Sequence, residues 1–169
     1  MKIKLFLIPI CFVFIFISCV SNEVVDNNPN YEKNLATAKK FFELFASEDI
    51  EAQKPLMCPG ITHYPPFYDS EPNKFEAAVA ANKSWMDNFD NITYDARAWL
   101  PGTDSLGKPD GSVRTYGSWT AKANSTGNVI TVRAYHYFDF NDAGQIHETG
   151  DFFDASGVMN AALTPKEEE

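Results

Sequence analysis

The chain has 169 residues, of which 44% are hydrophobic and 22% are charged, a composition typical of one globular domain and not of a disordered chain. Its 14 Lys and Arg residues stand against 23 Asp and Glu residues, which gives a net charge of −9 at pH 7. An acidic chain without a run of basic residues repels phosphate backbones, so nucleic acid is excluded as an expected partner.

Residues 1–18 predict a secretory signal peptide. Two lysines open it, and residues 5–17 are apolar apart from Pro9, a length that suits a signal and falls short of the roughly 20 residues that span a bilayer. The ending "FISC" (16–19) resembles a bacterial lipobox, in which the cysteine carries the lipid. The resemblance implies a mature chain that begins at Cys19 with several acyl chains, since one chain alone binds a membrane only marginally.

We therefore expect a lipid-anchored protein of the bacterial cell envelope. Val20 differs from the aspartate that resembles an inner-membrane retention signal, which mildly favours the outer membrane. Residues 19–30 predict the lipidated cysteine and a flexible tether. Cys11 leaves with the signal peptide and Cys19 carries the lipid, so Cys58 remains alone and we expect no intramolecular disulfide. We interpret Cys58 as a small buried hydrophobic side chain and not as a nucleophile.

Helices dominate the first half of the domain. Apolar residues at steps of four and three predict a deeply buried first helix; they are Tyr31, Leu35, Ala38, Phe42 and Phe45. Ser47, followed by two acidic residues, predicts the start of a short second helix, and Asn73 predicts the cap of a third. Between them, "ITHY" (61–64) predicts a brief strand that ends at two prolines.

After Asn91 the apolar period drops to two, which predicts four strands joined as a meander. In the first of them, Ile92 to Leu100, the alternation places Tyr94 and Trp99 on opposite faces. A long loop is expected at 101–111.

The two last strands carry the polar residues of interest. On Val129–Phe140, His136 is the one polar side chain on an otherwise apolar face. On the strand after the 141–144 turn, alternation places His147, Thr149 and Asp151 on one face. Periodicity does not decide whether that face points inward.

This order of elements, with the ending "FNDAGQIHETGDFFD" (140–154), resembles the SnoaL-like branch of the nuclear transport factor 2-like superfamily. The segment "DIEA" (49–52) before "ITHYPP" is also similar to that family, and the resemblance covers roughly residues 34–163. It implies an α+β fold, a cone-shaped curved antiparallel sheet wrapped around three helices, with an apolar pocket at the open end. The expected domain is 31–163, followed by an acidic tail, 164–169.

The family contains enzymes and non-enzymes, so the fold leaves the activity open. Ketosteroid isomerase relatives carry a carboxylate base on the strand after the second helix, where this chain has Tyr64. Limonene epoxide hydrolase relatives use two aspartates bridged by an arginine; Asp151 matches one aspartate, and the rest of that triad is incomplete.

Asp151 and His136 are the candidate catalytic residues. If both point into the cone, a carboxylate against an imidazole in a dry pocket is the arrangement that general acid–base catalysis requires. A purely structural hydrogen-bonded pair explains the same residues. His63 and Tyr64 are candidates for the pocket entrance, and Trp119 for its wall.

We expect neither a metal nor a cofactor, because the histidines lie on separate elements without metal-ligand spacing and no phosphate-binding loop is present. The first functional hypothesis is a module that binds a small apolar or aromatic molecule. The alternative is an isomerase, cyclase, dehydratase or hydrolase that uses Asp151 and His136. A second alternative is a scaffold that forms a homodimer through the sheet. An open cavity with Asp151 and His136 in hydrogen-bonding distance would favour the enzyme, and a closed cone packed with Phe would favour the scaffold.

Overall fold

The computed structural model of the protein describes residues 30–165. Its helices are α1 (Tyr31–Ala46), α2 (Ile50–Gln53), α3 (Phe75–Asn88) and α4 (Ala155–Leu163). Its strands are β1 (Met57–Tyr64), β2 (Phe89–Thr103), β3 (Pro109–Ala123), β4 (Val129–Phe140) and β5 (Ile146–Phe152). The predicted signal peptide, Cys19, most of the tether and the end of the acidic tail lie outside the described residues. None of the described helices has the length and apolar character needed to cross a membrane.

The five strands form one sheet in the order β1-β5-β4-β3-β2. Strands β2 to β5 are an antiparallel meander, as predicted, and β1 pairs with β5 in parallel at one edge. Parallel pairing is possible there because a long connection, which includes α3 and three strands, separates β1 from β5 along the chain.

The β2–β3 connection is much shorter than the predicted loop at 101–111. Strand β2 continues to Thr103 and β3 begins at Pro109, so the Gly- and Pro-rich segment is mostly strand. The Asp104 carboxylate accepts hydrogen bonds from the backbone N–H groups of Leu106 and Lys108 at 2.8 and 2.9 Å. This side chain closes the hairpin loop. The predicted loop was too long because Gly and Pro residues, which are typical of turns, also occur in the adjoining ends of β2 and β3.

Helix α1 lies against the concave face of the sheet, where its predicted apolar stripe is buried. The Phe42 ring is at the centre, with its centroid 4.7 Å from those of Tyr94 and Trp119 and 5.4 Å from that of Phe138. Phe138 is only 1% exposed. The concave face of β3 and β4 is therefore the core face, and His136 shares it.

Two irregularities in strand pairing change which residues face inward. In β2 the register shifts between Ala96 and Ala98, and Trp99 consequently packs on the same side as Tyr94, with centroids 6.1 Å apart. The prediction of opposite faces was wrong because it assumed unbroken alternation, and an extra residue in a bulge reverses the phase.

The second irregularity lies in β5. Asp139 pairs with Glu148 and Phe140 with Ile146, which leaves His147 without a paired residue. His147 is exposed, whereas Thr149 is buried and Asp151 lines the cavity described below. The prediction that His147 shares the face of Asp151 was wrong for the same physical reason.

Two helix starts differ from the predictions. Ser47 ends α1, and Asp49 begins α2 by accepting from the backbone N–H of Ala52 at 3.0 Å. Asn73 does not cap α3; it pairs with His63 through two backbone hydrogen bonds of 2.9 and 2.7 Å. This bridge holds the two ends of the loop that follows β1 next to each other.

Helix α4 brings the number of helices to four where three were expected. The Asp154 carboxylate caps its first turn by accepting from the N–H of Gly157 at 2.8 Å. At its other end, the Asn128 amide donates to the carbonyl oxygens of Ala161 and Thr164, each at 2.8 Å. Both ends of this short helix are therefore held, because groups that are orphaned at helix termini find partners there.

Candidate functional site

A cavity of about 100 Å³ lies between α1, the concave face of the sheet, α3 and α4. Its walls are mostly apolar rings and aliphatic side chains. They are Phe41, Phe42, Phe45, Trp85, Phe89, Ile92, Trp119, Ala121, Ile130, Val132, Phe153 and Val158. Three polar residues complete the lining: Asn82, His136 and Asp151. An apolar hollow with a few convergent polar groups is the usual form of a small-molecule site.

Asp151 lies between two imidazoles. Its Oδ1 is 2.7 Å from Nδ1 of His136, and its Oδ2 is 2.8 Å from Nε2 of His63. The cross-strand register explains the first contact, because His136 on β4 is directly opposite Asp151 on β5. The second comes from β1, whose parallel pairing with β5 places His63 opposite Thr149, two residues before Asp151.

Trp119 continues the network on the other side of His136. Its indole N–H donates to Nε2 of His136 at 2.9 Å. The indole is also packed against the rings of Phe42, Phe45 and Tyr94, with centroid distances of 4.7, 5.2 and 4.6 Å. Trp119 therefore lines the cavity and at the same time occupies the second nitrogen of His136.

His63 is buried, with 6% of its surface exposed. Its Nδ1 is 3.4 Å from the side-chain amide nitrogen of Asn73, the residue that also pairs with its backbone. Tyr64 is 41% exposed and lines neither cavity found in the described residues. Alternation along β1 turns the two neighbours to opposite faces, so Tyr64 does not join His63 in the lining of these cavities.

The hydrogen bonds decide the charge of Asp151. Burial raises the pKa of this carboxyl, but the hydrogen bonds from His136 and His63 favour the ionised form, so the pKa lies well below the ordinary value of 3.8. The carboxylate is therefore ionised at physiological pH. Each of its oxygens accepts one imidazole N–H, which leaves further lone pairs for a ligand, because a carboxylate has about four acceptor sites.

A second, smaller cavity of about 20 Å³ lies behind Asp151. Asp151, Asn82, Phe41 and Phe42 line both cavities. The volume is roughly that needed for one water molecule. Asn82 is held in place by donating to the buried Gln53 at 3.0 Å. Asp151 thus borders both cavities.

Other candidate residues do not join the site. Cys58 is a buried free thiol and is absent from both cavity linings. Among residues 30–165, no group of three or more His, Cys, Asp or Glu side chains has the arrangement of a metal site. His63 and His136 each direct a ring nitrogen at the Asp151 carboxylate.

The sequence did not reveal the direct contact of His63 with Asp151, or the role of Asn82. Alternation along β1 places His63 and Tyr64 on opposite faces, so the sequence could have indicated that only one of them faces the cavity. No local pattern marks Asn82, because its place depends on how α3 packs across the sheet.

The chain shares its α+β fold, a curved sheet with helices packed against it, with solved structures described as SnoaL-like proteins. A presumed SnoaL-like polyketide cyclase from Jannaschia sp. CCS1 is similar with a TM-score of 0.68 and 20% identity, over 83% of this chain and 99% of that one. A presumed isomerase from Bacillus subtilis has a TM-score of 0.67 and 15% identity, over 82% and 99%. The BvnE pinacolase from Penicillium brevicompactum has a TM-score of 0.62 and 13% identity, over 78% and 93%.

These identities establish a shared fold and leave the activity open. No protein-family model matches the chain, and no curated protein matches it.

Proposed function

We propose that this domain is an acid–base enzyme of the isomerase or cyclase type, which moves a proton within a small, largely apolar substrate. The observation that carries the proposal is the position of Asp151, an ionised carboxylate that lines an apolar cavity and is held by two imidazole N–H groups. A positioned side chain that accepts and returns a proton contributes about 10²–10⁴-fold to a reaction rate.

Asp151 is the proton acceptor in this proposal. Both nitrogens of His136 are already engaged, one with Asp151 and one with Trp119. The Asp151 oxygens retain free lone pairs, so among these three side chains the carboxylate is the one that can take a proton from a bound molecule. His136 and His63 are positioning residues whose N–H groups hold the carboxylate at the cavity wall.

The lowered pKa of Asp151 keeps this carboxylate unprotonated at neutral pH, so it is available to accept a proton. A low pKa makes a carboxylate a weak base, and its protonated form returns the proton readily. The acceptor can then deliver the same proton to another atom of the substrate. Similar solved structures described as a cyclase, an isomerase and a pinacolase support this reaction class by analogy of fold alone.

Hydrogen–deuterium exchange tests the proposal with surrogate ligands in place of the natural substrate. Small apolar carbon acids that bind the domain would first be selected by ligand-observed NMR. Their proton signals would then be followed in D2O with the wild-type protein and with Asp151→Asn. We expect wild-type protein to accelerate exchange and Asp151→Asn to lower the rate by about 10²–10⁴-fold. The matched control is Asp95→Asn, which makes the same charge change at an exposed position of β2.

A binding module remains the alternative, and one observation favours it. His136, His63 and Asp151 satisfy one another and have Trp119 and Asn73 as further partners, as in a purely structural network. Ligands that bind the cavity but exchange no faster with wild-type protein than with Asp151→Asn would favour this function over catalysis.

We also propose that the chain is anchored to the bacterial cell envelope through a lipid on Cys19. The support is the sequence of residues 1–19, which resembles a lipoprotein signal. Incorporation of labelled palmitate by wild-type protein and its loss in Cys19→Ser would support the anchor. Equal labelling of both proteins would contradict it.

The scaffold alternative rests on exposed aromatic residues on the convex face of the sheet. Tyr116 and Phe152 are 47% and 55% exposed there. A homodimer through this face is a proposal that analytical ultracentrifugation of wild-type protein and Phe152→Ser would test; a monomeric wild type would exclude it at the concentration used.

A further inference from the structure

We infer that the cavity selects neutral or cationic molecules that carry a hydrogen-bond donor, and rejects carboxylates and other anions of the same shape. This inference rests on the proposed function, because it treats the cavity as the substrate site. It follows from counting the protons on the polar groups of the cavity.

The first step concerns His136. An indole N–H can only donate a hydrogen bond, so Nε2 of His136, 2.9 Å from the Trp119 nitrogen, must be an unprotonated acceptor. Its Nδ1, 2.7 Å from a carboxylate oxygen, must then carry the proton. His136 is therefore neutral, and its tautomer is fixed by the group on each side.

The second step concerns His63. Its Nε2 faces Oδ2 of Asp151 at 2.8 Å and donates to it, since an ionised carboxylate accepts only. Its Nδ1 faces the Asn73 amide nitrogen at 3.4 Å, which is also a donor. In a hydrogen bond between these two nitrogens the amide is the donor and Nδ1 is the unprotonated acceptor, which gives a neutral His63 as well.

The third step is the sum of these charges. Two neutral imidazoles leave the charge of the Asp151 carboxylate uncompensated, and no Lys or Arg lines either cavity in the described part of the chain. The apolar walls keep the local dielectric constant low, which strengthens the interaction of this charge with a charged ligand. A donor on the ligand finds the free lone pairs of Asp151, whereas an anion next to Asp151 is repelled by its charge.

A matched set of three probes tests the inference: benzyl alcohol, benzylamine and benzoate share one ring and differ in charge. Affinities for wild-type protein would be measured by NMR titration at pH 7. We expect benzylamine and benzyl alcohol to bind at least about tenfold more tightly than benzoate. Asp151→Asn should reduce the difference between benzylamine and benzoate to less than about threefold, while Asp95→Asn should retain it.

The positions of the protons on the rings of His136 and His63 can be measured directly. In a ¹H–¹⁵N spectrum of the histidine rings at pH 7, we expect the proton of His136 on Nδ1 and that of His63 on Nε2. In Trp119→Phe the donor is lost while an aromatic ring is retained, so the signature of a fixed His136 tautomer should be lost. An imidazolium at either histidine in wild-type protein would overturn the inference.

The outcomes separate this inference from the proposed function. Benzoate that binds as tightly as benzylamine would overturn the charge selection and leave acid–base catalysis standing. Failure of all three probes to bind would contradict the charge selection, whereas the proposed function is tested separately by proton exchange in the selected carbon acids. Selective binding without any Asp151-dependent proton exchange would support the charge selection and contradict the enzyme.

Discussion

The concave and convex faces of the sheet both carry aromatic residues, but they use them differently. On the concave face Phe138 is 1% exposed and packs against Phe41 and Phe42 at 6.1 and 5.4 Å. On the convex face Tyr135 is flanked by the cross-strand neighbours Tyr116 and Phe152 at 4.8 and 5.5 Å, and both neighbours remain about half exposed. Aromatic content alone therefore does not identify a pocket.

The polar groups separate the two faces more clearly. On the convex face Arg114 pairs with Asp139 at 2.8 Å and Tyr137 donates to Glu148 at 3.1 Å, and the Arg114–Asp139 pair remains partly exposed. Such pairs contribute little, because water screens and competes with them. On the concave face the imidazoles of His63 and His136 are buried and meet one carboxylate. Burial of bonded polar groups is what distinguishes the candidate site.

The largest expected difference between the faces is in stability. Phe138→Ala should lower the free energy of unfolding by about 3–5 kcal/mol, because it removes a fully buried ring and leaves a cavity. Phe152→Ala, the same change at a half-exposed position, should cost less than about 1 kcal/mol. Urea unfolding of both variants measures the difference. Equal losses would show that the convex face is also covered.

Asp151→Asn should cost about 1–3 kcal/mol near neutral pH, since an amide cannot accept from both imidazoles as the carboxylate does. The direction of the pKa shift decides how stability changes with pH. Because the pKa of Asp151 is lowered on folding, its contribution is fully present above about pH 4 and is lost as the pH falls below that value. Stability measured against pH should therefore fall less steeply at acid pH in Asp151→Asn than in wild-type protein. An unchanged slope would contradict the described bonding.

Two neighbours on β3 test the cavity itself. Ala121 lines it, whereas Thr120 faces outward and bonds to Thr131. Ala121→Leu should fill part of the cavity, weaken benzyl alcohol binding by at least about tenfold, and raise the free energy of unfolding by about 0.5–2 kcal/mol. Thr120→Leu should leave binding unchanged. Weaker binding in both variants would show that the probe does not occupy the cavity.

The smallest effect is expected at the exposed bulge of β5. His147→Ala should change the free energy of unfolding by less than about 0.5 kcal/mol and leave probe binding intact. His63→Ala should cost about 1–3 kcal/mol, because it leaves Asp151 with one imidazole donor and opens space beside it. Thermal unfolding of His147→Ala and His63→Ala measures the difference between the two losses of stability. A large effect of His147→Ala would show that the bulge supports the site.

Local patterns were sufficient for much of this architecture. The four-and-three spacing identified α1 and its buried side, and alternation along β4 identified the face that carries His136. These predictions succeeded because each depends on residues within one element. The meander order was also predictable, since short turns join neighbouring antiparallel strands.

The failures lie where one residue shifts the pairing or where distant elements meet. Bulges near Arg97 and at His147 reversed the expected faces of Trp99 and His147. Helix α4 lacked a recognisable signal, although Asp154 caps it and the turn that ends in Asn128 holds its far end. A bulge follows from the competition of two strands for partners, which neither strand shows alone.

The sequence by itself determined the α+β class, the helical stripe of α1, the strands of the meander and the apolar residues that share a face with His136, because hydrophobic periodicity is a property of each segment. Only the tertiary structure decided that β1 pairs in parallel beside β5, that His63 and not Tyr64 faces Asp151, and that Trp119 completes the network. The reason is physical: a hydrogen bond between residues 88 positions apart, such as that of His63 and Asp151, depends on how strands pair and bend, and no local pattern in the chain records it.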